Sequence, residues 1–218
     1  MTKPLKIDFV SDVSCPWCAI GLQSLQTALG RLEGQVQADI HFQPFELNPN
    51  MGPAGQDITE HLSEKYGSTP EQAQAARENI RARGAALGFE FAMDKRGRIY
   101  NTFDAHRLLH WAGEVDPTGA KQMALKKAML KAYFTDGKDP SKHLTLVSLA
   151  FEVGLDSVAA QAVLTTGRYA DEVREQEQFY QSQGIHSVPA IIINDQHLIS
   201  GGQPPEVFEQ ALRQIAAE

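Results

Sequence analysis

Two cysteines, the only ones in 218 residues, enclose two residues in the segment Cys15-Pro16-Trp17-Cys18. This segment follows an apolar run that ends at Val10, and it precedes apolar residues at helical spacing, which predicts that it opens a helix. A thiol at a helix N-terminus faces unpaired backbone N–H groups and the positive end of the helix dipole. Both effects stabilise a thiolate, so we expect the pKa of Cys15 to lie below that of a free cysteine. Cys18 is one turn further on and can form a disulfide with Cys15, which indicates a redox-active dithiol.

Two other interpretations of the cysteine pair are a zinc site and a structural pair of buried thiols. A structural zinc site almost always has four ligands, and the sequence has no second Cys-x-x-Cys segment. His106 and His110 are four residues apart, but no carboxylate-plus-histidine motif accompanies them. A strand followed by Cys-x-x-Cys and a helix favours redox chemistry over a structural role. We therefore expect no metal and no cofactor other than the redox-active disulfide itself.

The overall composition is typical of a soluble globular protein, with 42% hydrophobic and 22% charged residues. The formal net charge of −7 and the lack of a basic stripe argue against a nucleic-acid partner. No apolar run approaches the ~20 residues that span a bilayer, and Met1 to Lys6 lack the apolar stretch of a signal peptide. We expect a cytoplasmic protein with no membrane association. In that compartment an isolated disulfide is more often catalytic or redox-sensing than structural.

The order of predicted elements indicates an α/β fold with an insertion. Alternating apolar residues predict strands over 5–11 and 36–47, and a helix over 15–31 for which Ser14 is the N-cap candidate. Strand–helix–strand order implies parallel pairing in a sheet that helices cover. Helix after helix follows from residue 50 to residue 166, and the chain then returns to helix, strand, strand and helix. We predict one domain from residues 1–49 and 167–218, with an all-helical insertion over residues 50–166.

Four segments, at residues 12–18, 45–49, 101–108 and 184–190, together resemble the DsbA-like oxidoreductases. The nearest branch in pattern is the FrnE type. The resemblance implies a thioredoxin-like fold with a central mixed sheet, interrupted by a helical subdomain. It covers nearly the whole chain, so it also implies roles for particular residues.

By this resemblance, Cys15 is the attacking and more exposed thiolate, and Cys18 is the resolving thiol. Pro189 is expected to be cis and to lie beside the cysteine pair, with the backbone of Val188 turned towards an extended substrate that pairs with it as an added strand. Pro16 and Trp17 are the other expected substrate contacts. From the residues alone, Pro189 is only a proline before a buried strand, for which a trans bond is the ordinary state.

Kappa-class glutathione transferases and 2-hydroxychromene-2-carboxylate isomerases have a similar layout and use glutathione. They carry Ser where this chain has Cys15, and they have an acidic residue near the last helix, where this chain has none from Ile199 until Glu206. Both differences favour a thiol–disulfide oxidoreductase that exchanges disulfides with protein or peptide thiols and with glutathione. A glutathione-dependent isomerase or transferase stays the alternative, and a redox-controlled switch or chaperone without turnover is a third hypothesis.

The sequence leaves the roles of three polar residues open. Asp12 either tunes Cys15 or hydrogen-bonds the backbone of its own turn, and His106 is either a proton carrier or a structural histidine. No role follows for Asn101. The physiological substrate, the direction of electron transfer, the recycling partner and the oligomeric state are likewise undetermined.

Overall fold

The computed structural model describes residues 4–218, so Met1 to Lys3 of the N-terminal segment lie outside the described residues. The strands are β1 (Leu5–Ser11), β2 (Ala38–Pro44), β3 (Gln56–Asp57), β4 (Arg98–Ile99), β5 (Ala190–Ile193) and β6 (His197–Ser200). The helices are α1 (Pro16–Arg31), α2 (Ile58–Tyr66), α3 (Pro70–Ala86), α4 (Phe103–Val115), α5 (Ala120–Phe134), α6 (His143–Glu152), α7 (Ser157–Thr166), α8 (Ala170–Ser182) and α9 (Pro205–Ala216).

The main sheet has four strands in the order β2-β1-β5-β6. β1 and β2 are parallel, with Phe9 opposite Phe42, whereas β5 runs antiparallel to both β1 and β6. The parallel pair requires a crossover, which α1 provides. The predicted α/β fold with a central mixed sheet is therefore confirmed.

The hairpin from β5 to β6 turns at Asn194 and Asp195, both in the left-handed region with φ of 53° and 59°. Gln196 N–H donates to Ile193 O over 3.1 Å, so Asn194 and Asp195 are the central residues of a turn, and positive φ at both central residues is typical of a type I′ turn. The turn is also attached to β1, because Lys6 N–H donates to Asn194 Oδ1 over 3.1 Å and Asn194 N–H donates to Lys6 O over 2.9 Å. The predicted order of helix, strand, strand and helix after residue 166 is thus confirmed.

The prediction of an all-helical insertion is wrong in one respect. β3 and β4 form a small antiparallel sheet, in which Gln56 lies opposite Ile99 and Asp57 lies opposite Arg98. Strands of two residues are too short to leave an alternating pattern in the sequence.

The N-cap of α1 is Cys15 rather than the expected Ser14, and Pro16 occupies the first turn. The division into residues 1–49 with 167–218 and residues 50–166 stays a prediction.

The largest buried apolar cluster contains the β1 side chains Ile7 and Phe9, and it continues into the helices of the predicted insertion. Insertion side chains in this cluster include Ile80, Phe91 and Tyr133. A second cluster joins the helices α4 to α7, together with Val13 from the turn before α1. The insertion therefore shares its apolar contacts with the sheet and with the segment that carries the cysteines.

Glycines allow the segment after β6 to approach α1 closely. A Cβ on Gly202 would lie 2.8 Å from Trp17 O, and a Cβ on Gly21 would lie 3.1 Å from Pro189 Cγ. The first distance is shorter than real Cβ contacts, and the neighbouring atom is backbone. The close contact between the cysteine helix and these loops therefore depends on the missing side chain at Gly202.

We expect Gly202→Ala to lower the free energy of unfolding by about 1–3 kcal/mol, as overpacking does. Gly30→Ala is the matched control on α1, because a Cβ at that position meets no atom within 4 Å. That control is expected to gain roughly 0.5–1 kcal/mol from helix propensity. Urea unfolding of both variants measures the difference, and a stability gain at Gly202 would contradict the close approach.

Candidate functional site

The cysteine segment lies at the point where β1 passes into α1. β1 ends at Ser11, and after a three-residue turn Cys15 takes the N-cap position in an extended conformation. Cys18 N–H donates to Cys15 O over 3.1 Å, which closes the first turn. Across from the pair, Cys15 Sγ lies 3.7 Å from Val188 O, and the Val188–Pro189 bond is cis.

The two thiols differ in their access to the surface cleft beside them. Both are buried, with 3% of Cys15 and 0% of Cys18 exposed, so the expected difference in overall exposure is small. Cys15 lines the cleft, together with Pro16, Trp17 and Val188, whereas Cys18 does not. Four of the six sequence-predicted site residues therefore meet at one surface, and only Cys15 presents a thiol there.

The thiols also differ in acidity. A hydrogen bond from the Cys18 thiol is the main cause that lowers the pKa of Cys15, and the backbone N–H groups of Cys18 and Trp17 act in the same direction. Burial and the charge of Asp12 oppose this shift. Burial raises the pKa of Cys18 well above its ordinary value, and the interaction with Cys15 adds to the rise. Cys15 is therefore the thiol that ionises first.

Asp12 hydrogen-bonds the backbone and also acts on Cys15. Its fully buried carboxylate accepts from Ser14 N–H over 3.0 Å and from Leu47 N–H over 2.8 Å. His106 Nε2 lies 3.7 Å from Asp12 Oδ1. Burial raises the pKa of Asp12, but the facing His106 and the two N–H donors outweigh it and lower the pKa to about 2. Asp12 thus remains ionised beside the dithiol.

Lys126 of α5 is a functional candidate that sequence reasoning missed. It is fully buried, its Nζ has no hydrogen-bond partner within residues 4–218, and it lies 5.7 Å from the centre of the Phe42 ring. Burial lowers the pKa of Lys126, whereas the charges of Cys18, Asp12 and Cys15 raise it. The available signal was its position, because Lys126 stands in the buried helical stripe that also contains Gln122 and Met129.

The roles of His106 and Asn101 become clearer in three dimensions. His106 is buried, and its Nε2 has no hydrogen-bond partner among the described residues. A cavity of about 10 Å³ lies against both His106 and Lys126. Asn101 Oδ1 accepts from Phe103 N–H over 2.9 Å, so Asn101 stabilises the start of α4. The histidine belongs to the polar surroundings of the dithiol, and the asparagine has a structural role.

The cleft beside Cys15 has a volume of about 630 Å³. Its wall is largely apolar and includes Ile58, Tyr66, Ile80 and Met93 from the predicted insertion. Pro189 is buried and does not line this cleft. Volume and lining are in the range of small-molecule and peptide sites.

Over residues 4–218, no three side chains of the types His, Cys, Asp and Glu come together as a metal-binding group. Among the helices that the structure describes, none is long and apolar enough to cross a lipid bilayer.

Comparison with protein families decides the classification of the chain. The model of the DSBA-like thioredoxin domain matches residues 6–213. The chain belongs to this family. Among solved structures, this DSBA-like chain is similar to a probable DsbA oxidoreductase from Streptomyces coelicolor, with 35% identity, a TM-score of 0.89, and coverage of 98% of this chain and 91% of that one. The recognition of a DsbA-like, thioredoxin-type protein from its sequence is confirmed.

Two more distant solved structures share the fold. One is the cytosolic disulfide reductase DsbM from Pseudomonas aeruginosa with GSH, at 15% identity and a TM-score of 0.67, covering 98% of this DSBA-like chain and 100% of that one. The other is a 2-hydroxychromene-2-carboxylate isomerase, at 15% identity and a TM-score of 0.65, covering 96% and 95% of the two chains. No curated protein matches the sequence.

We expect Asp12→Asn to lower the pKa of Cys15, because the Asp12 charge repels the thiolate. The rate of Cys15 alkylation by iodoacetamide, followed against pH by mass spectrometry, should then reach its half-maximum at lower pH than in the unmodified protein. Asp8→Asn is the matched control, since Asp8 is a buried carboxylate on β1, the strand that precedes Asp12, and its partners are Lys6 and Gln43. A midpoint that rises in Asp12→Asn would contradict the assignment.

We expect Lys126→Met to raise the pKa of Cys18, because the lysine charge lowers it. The rate at which Cys18 resolves a mixed disulfide on Cys15 should shift to higher pH, as stopped-flow release of the substrate thiol would measure. Stability should not fall, since an apolar side chain of similar volume avoids burying an unpaired ammonium. Lys127→Met, at the exposed neighbouring position, is the control. Reduced stability with an unchanged pH profile would indicate a purely structural lysine.

Proposed function

We propose that the protein is a thiol–disulfide oxidoreductase that works through a mixed disulfide at Cys15. Membership of the DSBA-like family supports a general thiol–disulfide oxidoreductase role. The observation that carries the specific mechanism is the asymmetry of the pair. Cys15 lines the cleft with a lowered pKa, and the adjacent Cys18 is sealed off with a raised pKa.

In the reducing direction, the Cys15 thiolate attacks one sulfur of a substrate disulfide and forms a mixed disulfide. The second substrate sulfur leaves as a thiolate and takes up a proton. Cys18 then loses its proton and attacks Cys15 Sγ, which releases the remaining substrate thiolate and leaves a Cys15–Cys18 disulfide. The substrate disulfide is reduced to two thiols, and the dithiol is oxidised. The oxidising direction is the same sequence reversed.

The substrate chain is proposed to lie along Val188. Val188 lines the cleft, and its carbonyl oxygen is 3.7 Å from Cys15 Sγ. An extended peptide beside this segment would pair with its backbone while its sulfur meets Cys15. Pro16 and Trp17 line the same cleft, and we propose that they contact the substrate near the reacting sulfur. The proposed partners are therefore protein or peptide thiols and glutathione.

The reduction potential of the Cys15–Cys18 couple decides the direction. A value near about −270 mV would indicate a reductant, and a value near about −120 mV would indicate an oxidant. The cytoplasmic location and the FrnE-type branch stay predictions of the sequence. The potential, read by thiol labelling in glutathione buffers, tests the direction independently of either.

The alternative of a glutathione-dependent isomerase or transferase has only a fold likeness in its favour. The hydrogen bond between the two thiols lowers the pKa of Cys15, and this favours disulfide chemistry. The redox-switch hypothesis differs from both in its kinetics. It requires that oxidation change partner binding while turnover of disulfide substrates stays negligible.

We expect Cys15→Ser to reduce disulfide exchange to the uncatalysed rate, because the nucleophile is lost. Cys18→Ser should keep the first attack and accumulate one mixed disulfide per protein, which mass spectrometry detects. Ser24→Ala, a buried change on α1 at a hydroxyl without a partner among the described residues, is the control for folding. Full exchange activity in Cys15→Ser would refute the mechanism.

A further inference from the structure

The cleft beside Cys15 is positively charged, although the chain as a whole has a formal charge of −7. Three cations line it, Lys65, Arg77 and Arg96, against a single carboxylate, Glu46. Glu46 forms an ion pair with Arg174, and burial raises its pKa. The cleft therefore has a net positive charge that its own carboxylate does not neutralise.

Arg96 is held directly beside the reacting segment. It donates from its guanidinium to Ser14 O over 3.2 Å, and Ser14 precedes Cys15 in the chain. The guanidinium carbon lies 5.0 Å from the ring centre of Tyr133 and 5.1 Å from that of Phe134. Its Nε is buried without a hydrogen-bond partner in the described chain. These contacts fix the position of the guanidinium, and no carboxylate within residues 4–218 forms an ion pair with it.

The other two cations also lack a carboxylate partner among the residues that the structure describes. Lys65 Nζ donates to Leu47 O over 2.6 Å and to Asn48 Oδ1 over 2.8 Å, and both acceptors are neutral. Arg77 of α3 is half-buried, and none of the ion pairs or side-chain hydrogen bonds found within residues 4–218 involves it. A concave site with an excess of positive charge raises the local concentration of anions. The cleft is thus suited to bind an anion.

The remaining wall restricts the form of that anion. Trp17, Ile58, Tyr66 and Met93 supply apolar surface around the charges. A volume of about 630 Å³ is in the range of sites that enclose small ligands. An inorganic ion would leave most of this apolar surface uncovered, whereas a short peptide would cover it. Carboxylates are the anionic groups that such a peptide carries.

We propose that the cleft selects disulfides in which the half bound beside Cys15 is a short, carboxylate-bearing peptide, with its carboxylates on Arg77 and Arg96. This inference rests on the proposed oxidoreductase function, since it names the substrate class of the same site. Arginine binds carboxylates through paired, charge-assisted hydrogen bonds. Two of the donors on Lys65 are already occupied by Leu47 and Asn48. Lys65 therefore contributes mainly its positive charge to the cleft. Glutathione and acidic segments of proteins share this chemistry.

The test uses the reduced protein and three small disulfides of different charge: glutathione disulfide is anionic, hydroxyethyl disulfide is neutral, and cystamine is cationic. For each disulfide, the rate constant of a variant is divided by that of the unmodified protein, so that differences in intrinsic reactivity cancel. We expect Arg77→Glu to slow the reaction with glutathione disulfide by about tenfold, which corresponds to the free energy of one hydrogen bond to a charged group. Hydroxyethyl disulfide should be unaffected, and cystamine should react faster.

Three comparisons accompany this variant. Arg77→Lys keeps the charge and should restore most of the rate with glutathione disulfide. Lys127→Glu changes the net charge equally at an exposed position of α5 outside the cleft, and it should leave all three rates unchanged. Raising the salt concentration should reduce the difference between the effects of Arg77→Glu on the rates with the anionic and the cationic disulfide, because salt screens exposed charges.

The outcomes separate this inference from the proposed function. If all three disulfides react through Cys15 and Arg77→Glu slows them equally or not at all, the charge selection is refuted and the oxidoreductase function stands. If none reacts, the proposed function itself fails. A mixed disulfide of an acidic tetrapeptide, used as a fourth substrate, distinguishes free glutathione from acidic segments of proteins. If Arg77→Glu lowers the rate with both the tetrapeptide and glutathione disulfide, the cleft recognises carboxylates in general. If it lowers the rate with glutathione disulfide alone, the substrate is free glutathione.

Discussion

The position of Cys15 depends on one buried carboxylate. Asp12 accepts hydrogen bonds from Ser14 N–H, in the turn that leads to Cys15, and from Leu47 N–H, in the chain that leaves β2. It also faces His106 of α4. A carboxylate that is removed from water is stable only where donors surround it. Three distant segments must therefore stay together, and the N-terminus of α1 is positioned by that requirement.

The same carboxylate and the buried Lys126 act on the two thiols with opposite charge. Asp12 raises the pKa of Cys15, and Lys126 lowers the pKa of Cys18. Both charges act through surroundings shielded from water, where the effective dielectric is low, but their effects are smaller than those of burial and of the hydrogen bond between the thiols. They reduce the pKa difference between Cys15 and Cys18, which comes from burial and from the hydrogen bond between the thiols. The insertion that supplies Lys126 thus takes part in the electrostatics of the pair, and it also forms most of the cleft wall.

Most of the fold was predictable from sequence because its signals are local. Alternation of apolar residues indicated β1 at its observed bounds, and the continuous apolar run from Ala190 to Ile193 indicated β5. The Asn194-Asp195 turn followed from its residue types. Thr69 caps α3 through its own side chain and that of Gln72, a signal contained within four residues. β3 and β4 were not predictable, since each has two residues and the pairing joins positions about forty residues apart.

By itself, the sequence determined the cysteine pair, its place at the start of a helix, and the family, because these depend on residue type and short spacing. Only the tertiary structure decided which charges surround the pair. Lys126, Arg77 and Arg96 read as ordinary surface residues in the sequence, since a charged side chain is expected to face water. The convergence of the two arginines on one cleft results from packing between elements far apart in the chain, which no local pattern records. For Lys126, the helical spacing that it shares with Gln122 and Met129 was the available signal.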